Sequence, residues 1–104
     1  MKVRIIEPAE QDLLDGYLFY ESQAEGVGQY FLDCLYSEID SLVLFAGTHR
    51  KVFREFHWLL SKRFPYAVYC TLEDKIAMVH AILDCRQNSK SIEKRLEKGP
   101  SQTD

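Results

Sequence analysis

The chain has 104 residues, of which 46% are hydrophobic and 28% charged, and its formal net charge at pH 7 is −3. These values are typical of one soluble globular domain with a modest core. No apolar run approaches the roughly 18 residues of a membrane helix, and Glu7, Glu10 and Asp12 interrupt the region where a signal peptide is apolar. We therefore expect a cytoplasmic protein with no membrane partner.

The charges are divided unevenly along the chain. Residues 1–47 carry two Lys or Arg against nine Asp or Glu, whereas residues 48–98 carry eleven Lys or Arg against six acids. This asymmetry predicts that any anionic partner meets the second half. The pI of about 5.6 nevertheless argues against strong non-specific binding to nucleic acids, which usually requires a basic domain.

Cysteine and histidine spacing indicates no metal or redox centre. Cys34, Cys70 and Cys85 are odd in number and widely spaced, without a C-x-x-C pair. We expect Cys34 and Cys70 to be buried thiols, and only Cys85, next to Arg86, is a candidate for activation. The three histidines also lack the spacing of metal ligands, so no metal and no cofactor are predicted.

The first half of the chain predicts a strand and two helices. A short strand, Lys2–Ile6, precedes a helix that begins at Glu7-Pro8, because proline suits the first helical position. Gly26–Gly28 ends this helix, and a second helix follows over Gln29–Phe45. The short connection predicts an antiparallel helical hairpin. The residues expected to form the buried stripe of the first helix are Leu13, Leu14, Tyr17, Leu18, Glu21 and Ala24.

The second half predicts three consecutive strands and a last helix. After a break at residues 46–49, alternation predicts one strand over Val52–Leu60, a second strand from Tyr66 to Leu72 and a third from Ile76 to Cys85. Tight connections between these strands predict an antiparallel meander. In the third strand, Ala77, Val79, Ala81 and Leu83 are expected to alternate with Met78, His80 and Ile82.

The assembled prediction is an α+β fold. An N-terminal strand and an antiparallel helical hairpin pack on an antiparallel sheet, whose other face and rim carry the basic residues. Asn88-Ser89 is expected to cap a short C-terminal helix, Lys90–Lys98. We expect a single domain over residues 1–98 and a disordered tail over residues 99–104.

A cationic and aromatic set is the strongest candidate for chemistry. Arginines from neighbouring strands suit phosphate, because a guanidinium offers a bidentate fork. Metal-free RNA cleavage would also need an acid and a base, for which Glu55, His80 and Asp84 are the candidates. An ordinary solvated strand face explains the same residues equally well, so the residues alone leave the function open. The set comprises Arg54, Lys62, Arg63, Tyr66, Tyr69, Asp84, Arg86 and Lys90.

Several motifs in this order carry a family resemblance. They are Glu-Pro-Ala-Glu from Glu7, Tyr-Glu-Ser-Gln-x-x-Gly-x-Gly from Tyr20, Lys-Arg-Phe-Pro-Tyr-Ala-Val-Tyr from Lys62, and Ala-Ile-Leu-Asp-Cys-Arg-Gln-Asn from Ala81. Over residues 2–97 the chain resembles the RelE/ParE toxin superfamily of bacterial type II toxin–antitoxin systems.

The resemblance implies a small toxin that causes growth arrest and takes part in functions such as plasmid stabilization. A cognate antitoxin would inhibit it, with a flexible segment that wraps the helical hairpin and sheet and folds on binding. RelE-like members cut mRNA in the ribosomal A site without a metal. ParE-like members poison DNA gyrase and need no nuclease residues.

The match to the nuclease branch is partial. Ala67 stands where the RelE pattern has an arginine after the strand tyrosine, and Ile92 stands where it has an aromatic residue, whereas the strand-end arginine is retained as Arg86. The resemblance and the acidic pI therefore favour a ParE-like toxin or one of undetermined target. The residues expected to bind the target or nucleic acid are Arg54, Lys62, Arg63, Tyr66, Arg86 and Lys90.

Two alternatives stay open. One is a ribosome-dependent mRNA endonuclease of RelE type, in which Lys62, Arg63 and Arg86 would be the catalytic residues that hold phosphate. The other is a non-toxic binding module. Whether the chain is an enzyme is therefore undecided from the sequence, and the expected partners are an antitoxin together with DNA gyrase or ribosome-bound mRNA.

Overall fold

The computed structural model describes residues 2–45, 51–53 and 55–97. Arg54, Lys98, the break predicted at residues 46–49 and the predicted tail at 99–104 lie outside them. The elements are β1 (Lys2–Ile5), α1 (Glu7–Gln23), α2 (Val27–Asp40), α3 (Leu42–Phe45), β2 (Lys51–Phe53), β3 (Phe56–Leu60), β4 (Tyr66–Glu73), β5 (Ile76–Asp84) and α4 (Ser89–Glu97).

The strands form one five-stranded sheet in the order β1-β5-β4-β3-β2. The pairs β2–β3, β3–β4 and β4–β5 are antiparallel, which confirms the meander and the α+β class. The N-terminal strand β1 adds one parallel pair by lying beside β5, with Lys2 opposite Ile76. A parallel neighbour requires a long crossover connection, and the chain from α1 to β4 provides it.

The prediction of a single strand over Val52–Leu60 is wrong. The structure divides this run into β2 and β3, which pair antiparallel with Lys51 opposite His57 and Phe53 opposite Phe56. Alternation of apolar residues continues through the run, so its period does not reveal that the chain reverses direction. The hairpin places β2 at the edge of the sheet.

Helix α1 buries only part of the predicted stripe, of which Leu13 is the one fully buried member. Ala9, Leu13 and Gly16 are buried, whereas Leu14 and Leu18 are 48% and 55% exposed. Gly16 causes the difference, because a Cβ at this position would lie 2.5 Å from two carbons of the buried Phe31 ring. The two helices therefore contact each other closely at a glycine, a residue that is not counted when hydrophobic residues at helical spacing are used to predict the buried side.

The turn between α1 and α2 is fixed by Glu21. Its carboxylate accepts hydrogen bonds of 2.9 Å from the backbone N–H groups of Gly26 and Gly28. Gly26 has φ of +90°, a left-handed conformation that glycine adopts without steric cost. Glu21, predicted to belong to the buried stripe, thus caps the start of α2, which begins at Val27 and not at Gln29.

The sheet buries apolar side chains on both faces. The hairpin covers one face, where Phe31, Leu35 and Ile39 pack on the sheet. On the other face Leu96 of α4 is buried, with Ile92 packed against the same cluster. The sequence predicts basic residues on this second face, but the described part of it is apolar because α4 covers it. Its buried residues are Phe56, Ala67, Tyr69, Ala81, Leu83 and Leu96, here called the second cluster.

A β-bulge at His80 changes the alternation of β5. Ala81 pairs with Tyr69 and Val79 pairs with Cys70, so His80 is one extra residue on this strand. Val79 belongs to the cluster under the hairpin, as does Ile82, while Ala81 belongs to the second cluster. The strict alternation predicted for β5 is therefore wrong from His80 onward.

Asp12 connects α1, β5 and α4. Strand β1 ends beside Val79, so the edge of β5 beyond Val79 has no strand partner on that side. At this edge the N–H of Ile82 donates a hydrogen bond of 3.0 Å to Asp12 Oδ2. Arg95 of α4 donates to both carboxylate oxygens at 2.9 and 2.7 Å. The side chains of Asp12 and Arg95 are only 11% and 30% exposed.

At the start of α4, Asn88 Oδ1 accepts a hydrogen bond of 2.7 Å from the N–H of Lys90, which confirms the predicted cap.

The contact at Gly16 is testable by adding one methyl group. Alanine normally stabilises a helix relative to glycine, but here its Cβ would collide with the Phe31 ring. We expect Gly16→Ala to lower the free energy of unfolding by about 1–3 kcal/mol, measured by urea denaturation. In the background of Phe31→Leu the same change should cost less, and an equal loss in both backgrounds would contradict this packing.

The Asp12–Arg95 pair is testable by removing one partner. Arg95→Met keeps most of the side-chain volume but leaves a mostly buried carboxylate without its cation, so we expect a loss of about 1.5–3 kcal/mol in urea denaturation. Lys94→Met is the matched control on the exposed side of α4, with an expected change within about 0.5 kcal/mol. Equal effects of the two substitutions would show that the pair does not stabilise the fold.

Candidate functional site

The candidate site lies where β4 begins and β5 ends. Tyr66 is opposite Asp84, and the carbonyl of Pro65 accepts a hydrogen bond of 2.7 Å from the N–H of Cys85. Pro65 directly precedes β4, where its missing N–H leaves no gap in the ladder. This pairing places the Lys62–Pro65 loop beside the segment that carries Arg86.

Arg86 is held by Asp84 in a forked ion pair. Its Nε donates to Oδ1 at 3.0 Å and one terminal nitrogen donates to Oδ2 at 2.7 Å. The backbone N–H of Arg86 also donates to Oδ1 at 2.8 Å. The hydrogen bond from the Arg86 side chain is the main reason that the pKa of Asp84 lies below its ordinary value. Arg86 remains 65% exposed, so its outward N–H groups can contact a partner while its charge is largely balanced.

Tyr66 and Tyr20 stand next to this ion pair as neutral phenols. Burial, and then Tyr20, raises the pKa of Tyr66 to about 12. Burial is also the main cause of the raised pKa of Tyr20. Both hydroxyls therefore keep their protons at neutral pH. They can donate hydrogen bonds, but they cannot act as general bases.

Tyr66 and Asp84 line a shallow depression of about 310 Å³ against α1. Asp12 and Asp15 also line it, together with the ring of Phe19. The described lining has no lysine or arginine, and of its three carboxylates Asp12 and Asp84 are already paired with arginines. This side of the candidate site therefore does not resemble a phosphate pocket.

Lys62 and Arg63 occupy a different depression. They line a groove of about 410 Å³ beside α2, in which Glu38 is another wall residue. The backbone N–H of Lys62 donates to Glu38 Oε2 at 2.9 Å. In the described part of the chain, neither cationic side chain forms an ion pair. The structure thus groups Lys62 and Arg63 with each other and not in one pocket with Arg86.

An aromatic cluster separates the two depressions. The ring of Phe64 lies 4.8 Å from that of Tyr20 and 5.1 Å from that of Phe31. Tyr66 also contacts Phe31, with ring centroids 5.0 Å apart. These contacts fix the Lys62–Pro65 loop on the helical hairpin.

The remaining predicted binding residues are dispersed. Lys90 is exposed in the first turn of α4, and Arg54 lies outside the described residues. Tyr69 is only 5% exposed within the second cluster, and burial raises its pKa to about 12. Tyr69 is therefore a core residue and not a contact for a partner.

The proposed acids and bases do not meet. His80 is 7% exposed, and its Nε2 lies 2.9 Å from Thr71 Oγ1, while its Nδ1 is buried without a hydrogen-bond partner. Burial lowers the pKa of His80, although Glu73 opposes this effect. Glu55 is exposed in the turn before β3, far along the sheet from Asp84 at the end of β5.

The cysteines give no reactive centre. Cys70 is buried as predicted, which raises its pKa to about 11, whereas Cys34 is only partly buried. Burial and then the Asp84 carboxylate raise the pKa of Cys85, which opposes the activation for which Cys85 was the candidate. No group of metal-binding side chains occurs among the residues that the structure describes. None of the described helices combines the length and apolar character needed to cross a membrane.

Sequence reasoning missed two features of the hairpin surface. One is the Asp12–Arg95 pair, whose partners are 83 positions apart in the chain. The other is the exposure of large apolar side chains on α1. The sequence contains a signal for the second feature. The run from Glu7 to Phe45 has nine acids and no lysine or arginine, and it has more apolar residues than the two buried helix faces contain.

Comparison with known proteins shows a structural likeness without a sequence match. No protein-family model and no curated protein matches the chain. Among solved structures, the chain is similar to a chain of the chromosomal ParDE TA system from P. aeruginosa, with a TM-score of 0.73 and 15% sequence identity. The match covers 79% of this chain and 92% of that chain. At this identity the likeness shows the fold, and it confirms the RelE/ParE-type fold that the motifs indicate.

The buried His80 predicts acid sensitivity of the fold. Its pKa is lowered from 6.5, so below pH 6.5 the unfolded chain binds a proton that the folded chain does not. The free energy of unfolding should therefore fall as the pH drops from about 6.5 towards the lower folded pKa, by at most about 1.4 kcal/mol per pH unit. We expect His80→Gln to reduce this slope in urea denaturation between about pH 7.5 and 5.5. An unchanged slope would contradict the prediction.

Proposed function

We propose that this protein is the cytoplasmic toxin of a type II toxin–antitoxin system and that it acts in a ParE-like manner on DNA gyrase. An antitoxin encoded beside it would keep it inactive and, where the pair is carried on a plasmid, the pair would stabilise the plasmid. The similarity to a chain of a ParDE TA system over 79% of this chain supports the general class. Support for the ParE-like mechanism comes from the chain's own residues.

The burial of Ala67 is the observation that favours the ParE-like mechanism over the RelE-type nuclease. The family resemblance assigns this position to an arginine in the nuclease branch. In this chain Ala67 is fully buried in the second cluster, where Leu83 and Leu96 are its neighbours. An arginine here would place an unpaired charge in an apolar core, which costs several kcal/mol.

Ile92 supports the same choice. The nuclease branch has an aromatic residue at the corresponding position, whereas Ile92 packs its apolar side chain on the second cluster. Neither Ala67 nor Ile92 can hold a phosphate or transfer a proton. A mechanism that depends on positioning and electrostatics loses orders of magnitude in rate when such groups are absent.

Exposed cations at the sheet end suit a binding role. Lys62 and Arg63 are exposed on the loop before β4, and Arg86 and Lys90 follow β5. We assign them, together with Tyr66 and Arg54, to contacts with the target and not to bond cleavage. Residues that only bind can lie in separate depressions, whereas catalytic groups must converge within hydrogen-bond distance of one bond.

Inducible expression in a bacterial host tests the proposal. We expect the wild-type protein to arrest growth within a few generations and to produce breaks in chromosomal DNA, detected as fragments by pulsed-field electrophoresis. The purified protein should inhibit DNA supercoiling by gyrase. An Arg63→Glu variant should lose at least about tenfold in inhibition, because it reverses the charge of an exposed contact. Glu93→Lys, which alters the exposed side of α4, is the matched control.

The same cultures separate the alternatives. Cleavage of mRNA at codon boundaries, abolished by Arg86→Ala, would favour the RelE-type nuclease and overturn the gyrase-linked mechanism. Normal growth with soluble, folded protein, and no short reading frame for an antitoxin beside the gene, would favour a non-toxic binding module. Each outcome is read by a different assay, so the three functions are distinguishable.

A further inference from the structure

The groove beside α2 displays two cations that the fold itself does not use. Lys62 and Arg63 line it and are exposed, and in the described part of the chain neither side chain forms an ion pair. Both acids of the lining are already engaged. Asp33 accepts a hydrogen bond of 2.9 Å from the Gln29 amide, and Glu38 accepts one from the N–H of Lys62. We call this depression the α2 groove, and its two cations are available to a partner.

Hydrogen bonds and an aromatic contact hold the backbone of the two cations in place. The N–H of Ser61 donates to the carbonyl of Tyr66 at 2.9 Å, and the Ser61 hydroxyl accepts a hydrogen bond of 3.3 Å from the N–H of Phe64. The ring of Phe64 lies 5.5 Å from that of Tyr30 on α2. Because both cations lie between these anchors, a partner would have to order only their side chains, which lowers the entropic cost of binding.

The α2 groove also has an apolar lining. Leu60 at the end of β3 and Tyr30 on α2 are 49% and 45% exposed, and both line the groove together with Leu59. The volume of about 410 Å³ falls in the range of roughly 300–1,000 Å³ that is usual for ligand-binding clefts. Exposed apolar side chains grouped in a cleft are typical of binding sites, whereas single ones are ordinary surface features.

We propose that the α2 groove binds an acidic segment of the target protein, in which a carboxylate neighbours apolar side chains. This inference rests on the proposed function, and it names the chemistry that the target must supply. The carboxylate would accept hydrogen bonds from the Arg63 guanidinium, with Lys62 beside it, and an apolar side chain of the segment would cover Leu60. Because the ion pair would form beside an apolar contact that excludes water, it would be screened less than an open surface pair.

The charges around the groove favour a protein segment over a nucleic acid. Asp33 and Asp40 are exposed on α2 and lie two turns apart on the same side of the helix. A nucleic acid carries a phosphate on every nucleotide, so the phosphates beyond the two cations would meet these carboxylates. A free inorganic anion would leave the apolar lining uncovered. An acidic segment with apolar neighbours satisfies both parts of the groove.

The binding of purified DNA gyrase to the full-length protein, measured by surface plasmon resonance, tests the role of the groove. The double variant Lys62→Glu/Arg63→Glu should raise the Kd at least about tenfold. Leu60→Thr removes apolar contact area and should raise the Kd at least about threefold. Asp33→Asn removes a like charge from the groove, so it should lower the Kd about two- to fivefold, whereas a cationic segment would bind this variant more weakly.

Two matched controls lie outside the groove. Lys94→Glu reverses an exposed charge on α4, and Leu44→Thr changes an apolar side chain on α3 that is 77% exposed. Both should leave the Kd unchanged. Circular dichroism shows whether each variant is folded. If the double variant does not fold, Lys62→Gln/Arg63→Gln takes its place, with an expected rise of the Kd of at least about fivefold.

Hydrogen–deuterium exchange of gyrase identifies the segment. With the wild-type protein we expect one protected gyrase segment that has a negative net charge and apolar residues next to its acids, and a synthetic peptide of this segment should bind the protein. A peptide with lysine in place of these acids should bind the Lys62→Glu/Arg63→Glu variant at least about tenfold more tightly than it binds the wild type.

The outcomes separate this inference from the proposed function. If the wild type inhibits gyrase but the groove variants bind gyrase normally, the inference fails and the gyrase-linked function stands. A protected segment that is basic, a short DNA duplex that binds the groove more tightly than the peptide does, or a homodimer that the double variant dissociates would also overturn it. If the wild type neither binds nor inhibits gyrase, the proposed function fails and this inference fails with it.

Discussion

One carboxylate, that of Asp12, determines how the helices and the sheet fit together. It accepts the N–H of Ile82 at an edge of β5 that β1 does not reach, and it holds both nitrogens of the Arg95 fork. Because the two Arg95 bonds and the Ile82 bond use the same two oxygens, α1 and α4 cannot shift independently of β5. The position of α4 on the second face of the sheet depends on this contact, and the burial of Ala67 under Leu96 depends on α4.

The position of α4 determines which residues remain exposed at the end of the sheet. A helix fixed across the second face fills it with apolar side chains. Ala67 and Ile92, two positions that the resemblance assigns to other residue types in the nuclease branch, lie in or against this cluster. The cations are left on loops and strand ends, where Asp84 neutralises Arg86 and an aromatic cluster separates it from Lys62 and Arg63. Such a distribution favours binding to a large partner over cutting one bond.

The sequence predicted what local periodicity and capping determine. The helical hairpin, the positions of β4 and β5, and the Asn88 cap were correct, because their signals lie within a few residues of each other. The second helix was predicted as one helix over Gln29–Phe45, whereas the structure divides it into α2 and α3 at Ser41. Three features required tertiary information. Gly16 decides which side of α1 is buried, the bulge at His80 exchanges the faces of β5, and the reversal between β2 and β3 leaves the alternation unbroken. Of the candidate site, the residue types near the sheet end were predicted, but not their separation into two depressions.

The composition of the hairpin affects the stability of the protein. Nine acids without a cation between them repel one another. In the described part of the chain, Asp12, Glu21 and Glu38 gain partners from outside their own helix, and Asp15 and Asp33 accept hydrogen bonds from the amides of Gln11 and Gln29. Arg95 of α4 and the N–H of Lys62, in the loop before β4, offset part of this cost through direct hydrogen bonds to Asp12 and Glu38. Among the other exposed acids, Glu7 and Glu10 lie in the first turn of α1, where the helix dipole favours a negative charge, so the repulsion on this surface is only partly offset. A cationic ligand that binds only the folded hairpin relieves this repulsion and, by mass action, stabilises the fold at the same time.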